Sequence, residues 1–210
     1  FPANGKGAHA EYGVLPTSAV AKLPANLTFE QGASLVKAGL TGRQTVDALG
    51  IKLGDRVLIS GALGMVGRAA IQYLQEIGAK PVAGVRSERL EDARFLAGEA
   101  IDITKPPAEA TFDFAIGTVS AVTGNLIKHV RDGGQVASIV QIPEGANADH
   151  RVTIHELRHR TDVDTLNAVL KAASEGALII PIAKTLLLSE IGAAQSAVAE
   201  GVQGKVTLKH

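Results

Sequence analysis

The chain contains no cysteine. That excludes disulfides, thiolate nucleophiles and cysteine-ligated zinc, and with them a small secreted disulfide scaffold, so a reducing cytoplasm is the expected setting. No run of about 18 apolar residues occurs, which excludes an ordinary membrane-spanning helix. No cationic start followed by an apolar core marks a secretory signal. An excess of one charge is also missing. Among 210 residues, 21 Lys and Arg face 21 Asp and Glu, which argues against nucleic acid or an anionic membrane and leaves a small-molecule substrate as the expected partner. The first residue is Phe1 rather than Met, inside a turn-rich stretch, so further sequence is expected ahead of it.

What the chain does have is glycine, 23 residues of it, and a regular alternation of strand-like and helix-like segments. Residues 10–23 mix short strands and bends. Thr28 and Gln31 have capping-box spacing and predict a helix start, and a second helix is predicted from Thr41 to Gly50. Then come "RVLIS", an apolar strand, "GMVGRAAIQYLQEIG", a helix whose stripe through Ile71, Leu74 and Ile77 predicts core, and "KPVAGV", a second strand. The rhythm repeats with "ERLEDARFLAG" as helix, "EAIDI" and "FDFAIGTV" as strands, "VTGNLIKHVRDGG" as helix and "QVASIV" as strand. A helix over 162–175 capped by Asp162 and Asp164, the segment "IPIAKTLLL", a Ser189-capped helix and a strand-like "GKVTLK" close the chain. The alternation predicts an α/β fold, a doubly wound parallel sheet with helices on both faces.

The loop in "LISGALGMVG" places Ala62, Gly64 and Gly67 at the offsets of a dinucleotide-binding turn, with Gly61 just ahead. A tight turn in a glycine-rich chain would look similar. Its position after a strand and before a helix favours phosphate binding, because the first turn of the helix offers unpaired N–H groups and a positive dipole end. About 20 residues on, an NAD site usually carries an acidic residue, whereas this chain has "GVRSER". Arg86, Ser87 and Arg89 suit a 2′-phosphate and point to NADP(H). The alternative is solvated charge neutralised by Glu88 and Glu91. His155 and His159 have the i, i+4 spacing of a metal clasp, but no third ligand is in view, so no metal site is expected.

Together, "GAHAEYGVLP", "AKLPANLTFEQGASL", "KAGLTG", "LGDRVLISGALGMVG", "AIQYLQEIGAK", "FDFAIGTV", "DGGQVASI" and "GVQGKVTLK" resemble the medium-chain dehydrogenase/reductase superfamily in its zinc-independent quinone-oxidoreductase branch. The resemblance implies a Rossmann nucleotide-binding domain at 39–180, with 1–38 and 181–210 as remnants of a β-rich chaperonin-10-like catalytic domain. It implies that the threonine of "GLT", Thr41, lies near the nicotinamide, and that Leu63, Gly64, Met65 and Val66 form the pyrophosphate loop. By the same resemblance Ile139, Val140 and Gln141 pass beside the nicotinamide ribose. Lys37 stands where zinc-dependent relatives have a cysteine ligand, and an ammonium repels zinc. Two departures stand out: Gly117-Thr118-Val119-Ser120 replaces Asp-x-Val-Gly, placing Thr118 beside the cofactor, and the loop between Gln141 and Arg151 is short. The implied activity is hydride transfer from NADPH to a quinone or α,β-unsaturated carbonyl without metal. An enoyl-thioester reductase, an alcohol dehydrogenase and a non-catalytic nucleotide-binding protein are the alternatives. Catalytic residues are expected ahead of Phe1, His9 is read as a turn residue, and a homodimer is expected through the edge strand near Arg151 to Leu157.

Overall fold

The computed structural model describes residues 13–210, so His9 and the opening of the first predicted strand lie outside the described residues. Two compact units divide the chain: one comprises the described residues through Leu40 together with Arg160–His210, the other Thr41–His159.

The larger unit is built on a six-stranded sheet. In chain order it contains the end of α1 (Phe29–Asp47), then β1 (Arg56–Ser60), α2 (Met65–Glu76), β2 (Lys80–Val85), α3 (Leu90–Ala97), β3 (Glu99–Asp102), β4 (Phe112–Gly117), α4 (Thr123–His129), β5 (Val130–Ser138) and β6 (Thr153–Glu156). The strand order is β3-β2-β1-β4-β5-β6, and every pairing is parallel. Order reverses between β1 and β4, which creates a crevice at their carboxyl ends where open α/β sheets take their ligands. β1 and β2 are buried on both faces over Val57–Ser60 and Pro81–Val85, as a sheet covered by helices on each side requires. Leu58, Val82, Leu126, Ile127 and Val136 form the centre of the core, each large aliphatic side chain contributing about 1.5–3 kcal/mol by burial.

Several helix boundaries differ from the sequence expectation. α1 is one continuous helix of 19 residues, so Thr41 is a mid-helix residue and not the start of a second helix. Gly42, which reads as a breaker, permits a close helix crossing instead: a Cβ there would meet the Ala69 Cβ at 2.7 Å, and Arg43 lies 5.6 Å above the Tyr73 ring. The predicted helix over "VTGNLIKHVRDGG" stops at His129, and Val130 to Gly134 belong to β5. Its last carbonyls are taken by Arg151, whose guanidinium donates to Ile127 O and Val130 O. Gly133 has φ 79°, and β5 is out of even register with β4 between Phe112 and Phe114. Ile71 and Leu74 are fully buried, but Ile77 is 39% exposed because it falls at the C-cap of α2 and not within its apolar stripe.

In the smaller unit, residues 13–23 hold only a short 3-10 turn, Thr17–Ala19, in place of the expected strand. Thr28 and Gln31 do form a reciprocal box at the start of α1: Thr28 N–H donates to Gln31 Oε1 at 2.8 Å and Gln31 N–H to Thr28 Oγ1 at 3.2 Å. α5 (Val163–Ser174) starts at Asp162, whose Oδ1 accepts from Thr165 N–H at 2.8 Å. β7 (Ile182–Leu187), α6 (Ile191–Ala199) and β8 (Lys205–Lys209) make a two-stranded parallel unit, bridged by a 2.8 Å bond between the Thr185 and Thr207 hydroxyls. Ser189 does not cap α6. A 3-10 turn over Leu188–Glu190 precedes the helix, and Glu190 accepts from Leu187 N–H at 2.8 Å.

Candidate functional site

Gly61, with φ 64°, turns the chain at the end of β1, and Gly64 N–H closes the turn on Gly61 O at 2.9 Å. The sharp bend therefore falls one residue ahead of Ala62, which is fully buried. Gly67 fixes how closely α2 approaches the turn, because a Cβ there would lie 2.4 Å from Gly61 O and 2.8 Å from Ala62 Cα. Gly64 is exposed at the helix N-cap. The N–H groups of Met65, Val66 and Gly67 lie in the first helical turn, where no intrahelical acceptor exists. Leu63 is 9% exposed, and its carbonyl accepts from Arg68 Nε at 3.0 Å.

Across the crevice, Thr118 fastens the ends of β1 and β4 together. Its hydroxyl donates to Ser60 O at 2.6 Å and its N–H to Ser60 Oγ at 3.1 Å. A Cβ on Gly61 would meet Thr118 Oγ1 at 2.4 Å, so the glycine and the threonine are packed against each other. After β5, Ile139 N–H donates to Gly117 O at 3.0 Å, and Ser138 Oγ donates to Val140 O at 2.7 Å. Ile139 and Val140 are half-buried and Gln141 is exposed at the same edge of the sheet. Thr41 is 6% exposed and shares a 3.2 Å hydrogen bond with His159 Nδ1.

Beyond β2 the chain turns outward through Arg86, Ser87 and Arg89. Both arginines have acidic partners, Arg86 with Glu88 at 3.1 Å and Arg89 with Asp92 at 2.8 Å. The second partner is Asp92 and not Glu91. Ser87 Oγ donates to Asp102 Oδ2 at 2.8 Å. Arg68, which has no role among the residues expected from sequence, is half-buried. Burial and the charge of Arg89 both lower its pKa, and Asp92 partly offsets them, so Arg68 belongs to the same charged neighbourhood. The signal for it was position: the fourth residue of a helix whose N-terminus faces the crevice.

Helix-end N–H groups with Arg68 close by, itself within electrostatic reach of Arg89, suit an anionic group. The two histidines do not form a helical clasp. His155 lies in β6 and bonds Gln135 Oε1 at 2.9 Å, while His159 follows the strand and bonds Thr41. Among the described residues no group of three or more His, Asp or Glu side chains could hold a metal ion, and no helix is long and apolar enough to cross a membrane. A separate open cavity, lined by Lys52, Asp55, Asp113, Phe114 and Gln135 among others, lies at the amino ends of the strands.

The strand order and the helices on either side of the sheet define a doubly wound α/β protein. No protein-family model matches the chain. It is 37% identical over 81 residues to the zinc-type alcohol dehydrogenase-like protein C337.11 of Schizosaccharomyces pombe, which covers 39% of this chain and 25% of that protein. Over 135 residues it is 34% identical to the 2-methylene-furan-3-one reductase of Solanum lycopersicum, covering 62% of this chain and 35% of that one. The crystal structure of an NAD-dependent alcohol dehydrogenase superimposes with a TM-score of 0.83 at 29% identity, over 97% of this chain and 65% of that one. Quinone oxidoreductases and a trans-enoyl reductase are also similar. The homologues and structural neighbours of this chain are medium-chain alcohol dehydrogenase/quinone-oxidoreductase-like proteins. Its matches span between 25% and 41% of the length of the first three curated relatives.

Proposed function

We propose that this chain carries the nucleotide-binding part of a cytoplasmic NADPH-dependent oxidoreductase that passes hydride to a quinone or an α,β-unsaturated carbonyl without metal. The observation that carries the cofactor reading is the pair Arg86 and Arg89 at the exit of β2, with Arg68 from the first turn of α2 within electrostatic reach of Arg89. When bound, the nicotinamide cofactor supplies the hydride, and the protein supplies position and electrostatics. The first-turn N–H groups of α2 would hold the pyrophosphate. Arg86 and Arg89 would leave their exposed acidic partners for the 2′-phosphate, since exposed ion pairs contribute only about 0–1 kcal/mol. Thr41, held by His159, and the segment Ile139–Gln141 would border the nicotinamide end.

The acceptor reading rests on relatives named as a furanone reductase and quinone oxidoreductases, and on Lys37 at the position of a zinc-ligating cysteine. We assign 39–180 to the nucleotide domain, 1–38 and 181–210 to the catalytic domain, and pairing of two copies to the free edge of β6. Titration of NADPH and NADH into wild type and Arg86→Ala tests the cofactor reading: NADPH should bind more tightly and lose about 1.5–3 kcal/mol in the variant, and equal wild-type affinities would refute it. A panel of quinones, enones, enoyl thioesters and alcohols tests the acceptor. Turnover of alcohols alone would favour the alcohol dehydrogenases among the relatives, and NADPH binding without turnover of any of them a non-catalytic role. Sedimentation that shows a monomer at micromolar concentration would refute the dimer.

A further inference from the structure

Three acids neighbour the cations at the exit of β2, and they are not equivalent. Glu88 and Asp92, the partners of Arg86 and Arg89, have side chains 62% and 61% exposed. Both can rotate into solvent and release their arginines to an incoming phosphate. Asp102 is different. It closes β3 directly beside Val85 of β2, one residue before Arg86, and its side chain is 10% exposed.

Four donors fix the Asp102 carboxylate. Oδ2 accepts from Ser87 Oγ at 2.8 Å and from Lys105 Nζ at 3.3 Å, and Oδ1 accepts from Thr104 N–H at 3.0 Å and Thr104 Oγ1 at 2.6 Å. The hydroxyls of Thr104 and Ser87 hold its carboxyl well below the usual carboxylate range, so it stays charged. A serine hydroxyl has a single proton to donate. With that proton given to Asp102, Ser87 presents lone pairs to its other neighbours, and an incoming phosphate oxygen would meet lone pairs in place of a donor.

We propose that Asp102 is a specificity-determining residue of this site: fixed on Ser87, its carboxylate withdraws that hydroxyl from a 2′-phosphate and opposes the phosphate charge. The arginines attract NADPH, and Asp102 moderates the attraction so that NADH is not shut out. This rests on the reading that Arg86 and Arg89 face the 2′ position. A fixed carboxylate and a phosphate dianion a few ångströms apart near a protein surface repel enough to change affinity about tenfold.

The test is titration of NADPH and NADH, followed by nicotinamide fluorescence, into wild type, Asp102→Asn, Thr104→Val and the double variant Arg86→Ala/Arg89→Ala. Asp102→Asn should raise the ratio of NADPH to NADH affinity about tenfold, with NADH changing less than twofold. Thr104→Val changes an exposed residue and loosens the carboxylate without removing it. It should move the ratio about two- to threefold in the same direction, and it decides the matter if Asp102→Asn fails to fold by thermal melting. An unchanged or lower ratio, in a protein whose NADPH binding depends on the arginines, overturns the proposal. So does a ratio that rises through lost NADH affinity, which would make Asp102 a ribose acceptor. If the arginine double variant binds NADPH as well as wild type does, the underlying reading fails instead.

Discussion

The loop after β1 and the segment after β2 leave the same edge of one sheet, yet they would hold their phosphates by different means. The loop is made of backbone. Its shape is set by Gly61 at φ 64° and by Gly67, where even one carbon would collide with the turn. The arginine segment is made of long side chains, two of them engaged with exposed acids. Backbone sites are rigid and indifferent to which nucleotide arrives, because every dinucleotide has the same diphosphate. Side-chain sites adjust at small cost, and selectivity is decided there.

Substitution at the loop should have the largest effect. Gly67→Ala forces a Cβ against Gly61 O and Ala62 Cα, and should cost about 2–3 kcal/mol of stability while weakening NADH and NADPH alike; urea unfolding and titration would show both. Similar binding of both nucleotides by the variant and wild type would break the contrast. Arg86→Ala/Arg89→Ala should leave the melting temperature close to wild type but lower NADPH affinity about 10- to 100-fold with NADH hardly changed. A parallel loss of NADH would place the arginines on the shared diphosphate.

Thr118→Val acts at the crevice, where β1 and β4 end side by side. It removes the 2.6 Å bond to the buried Ser60 carbonyl, and should cost about 1–2 kcal/mol in equilibrium unfolding with little effect on which nucleotide is preferred. The smallest effect is expected at His129, near the opposite end of the sheet, which is 7% exposed with Nε2 lacking a hydrogen-bond partner. Burial lowers its pKa, so the unfolded chain binds the proton more readily than the folded one. Stability should be full above about pH 6.5 and decline as pH falls below it. The slope of unfolding midpoint against pH over that range should flatten in His129→Leu.

Periodicity carried the sheet well. Fully apolar runs such as Val57 to Ile59 and Val82 to Val85 have only one stable place, between two layers of helices, and the structure puts them there. Helix boundaries were less legible, because each depended on a distant partner. Gly42 looks like a breaker until Ala69 is seen against it, and α4 ends where Arg151, more than twenty residues later, takes its carbonyls. At the candidate site the glycine loop was legible for a related reason: its constraints lie within seven consecutive residues. Arg68 was less so: its one local mark is its place in the first turn of α2, and its burial and its nearness to Arg89 and Asp92 come from the fold.

The alternating α/β pattern, the strand-to-helix loop and the positive residues that follow β2 are legible in the chain alone, because they depend on local backbone rules and on residue chemistry. The strand order β3-β2-β1-β4-β5-β6, the hydrogen bonds by which Thr118 fastens Ser60, and the meeting of Ser87 with Asp102 came only with the assembled fold. Those facts arise from parallel strands brought side by side. Parallel pairing joins residues fifteen or more positions apart, and no local preference encodes which of them will touch.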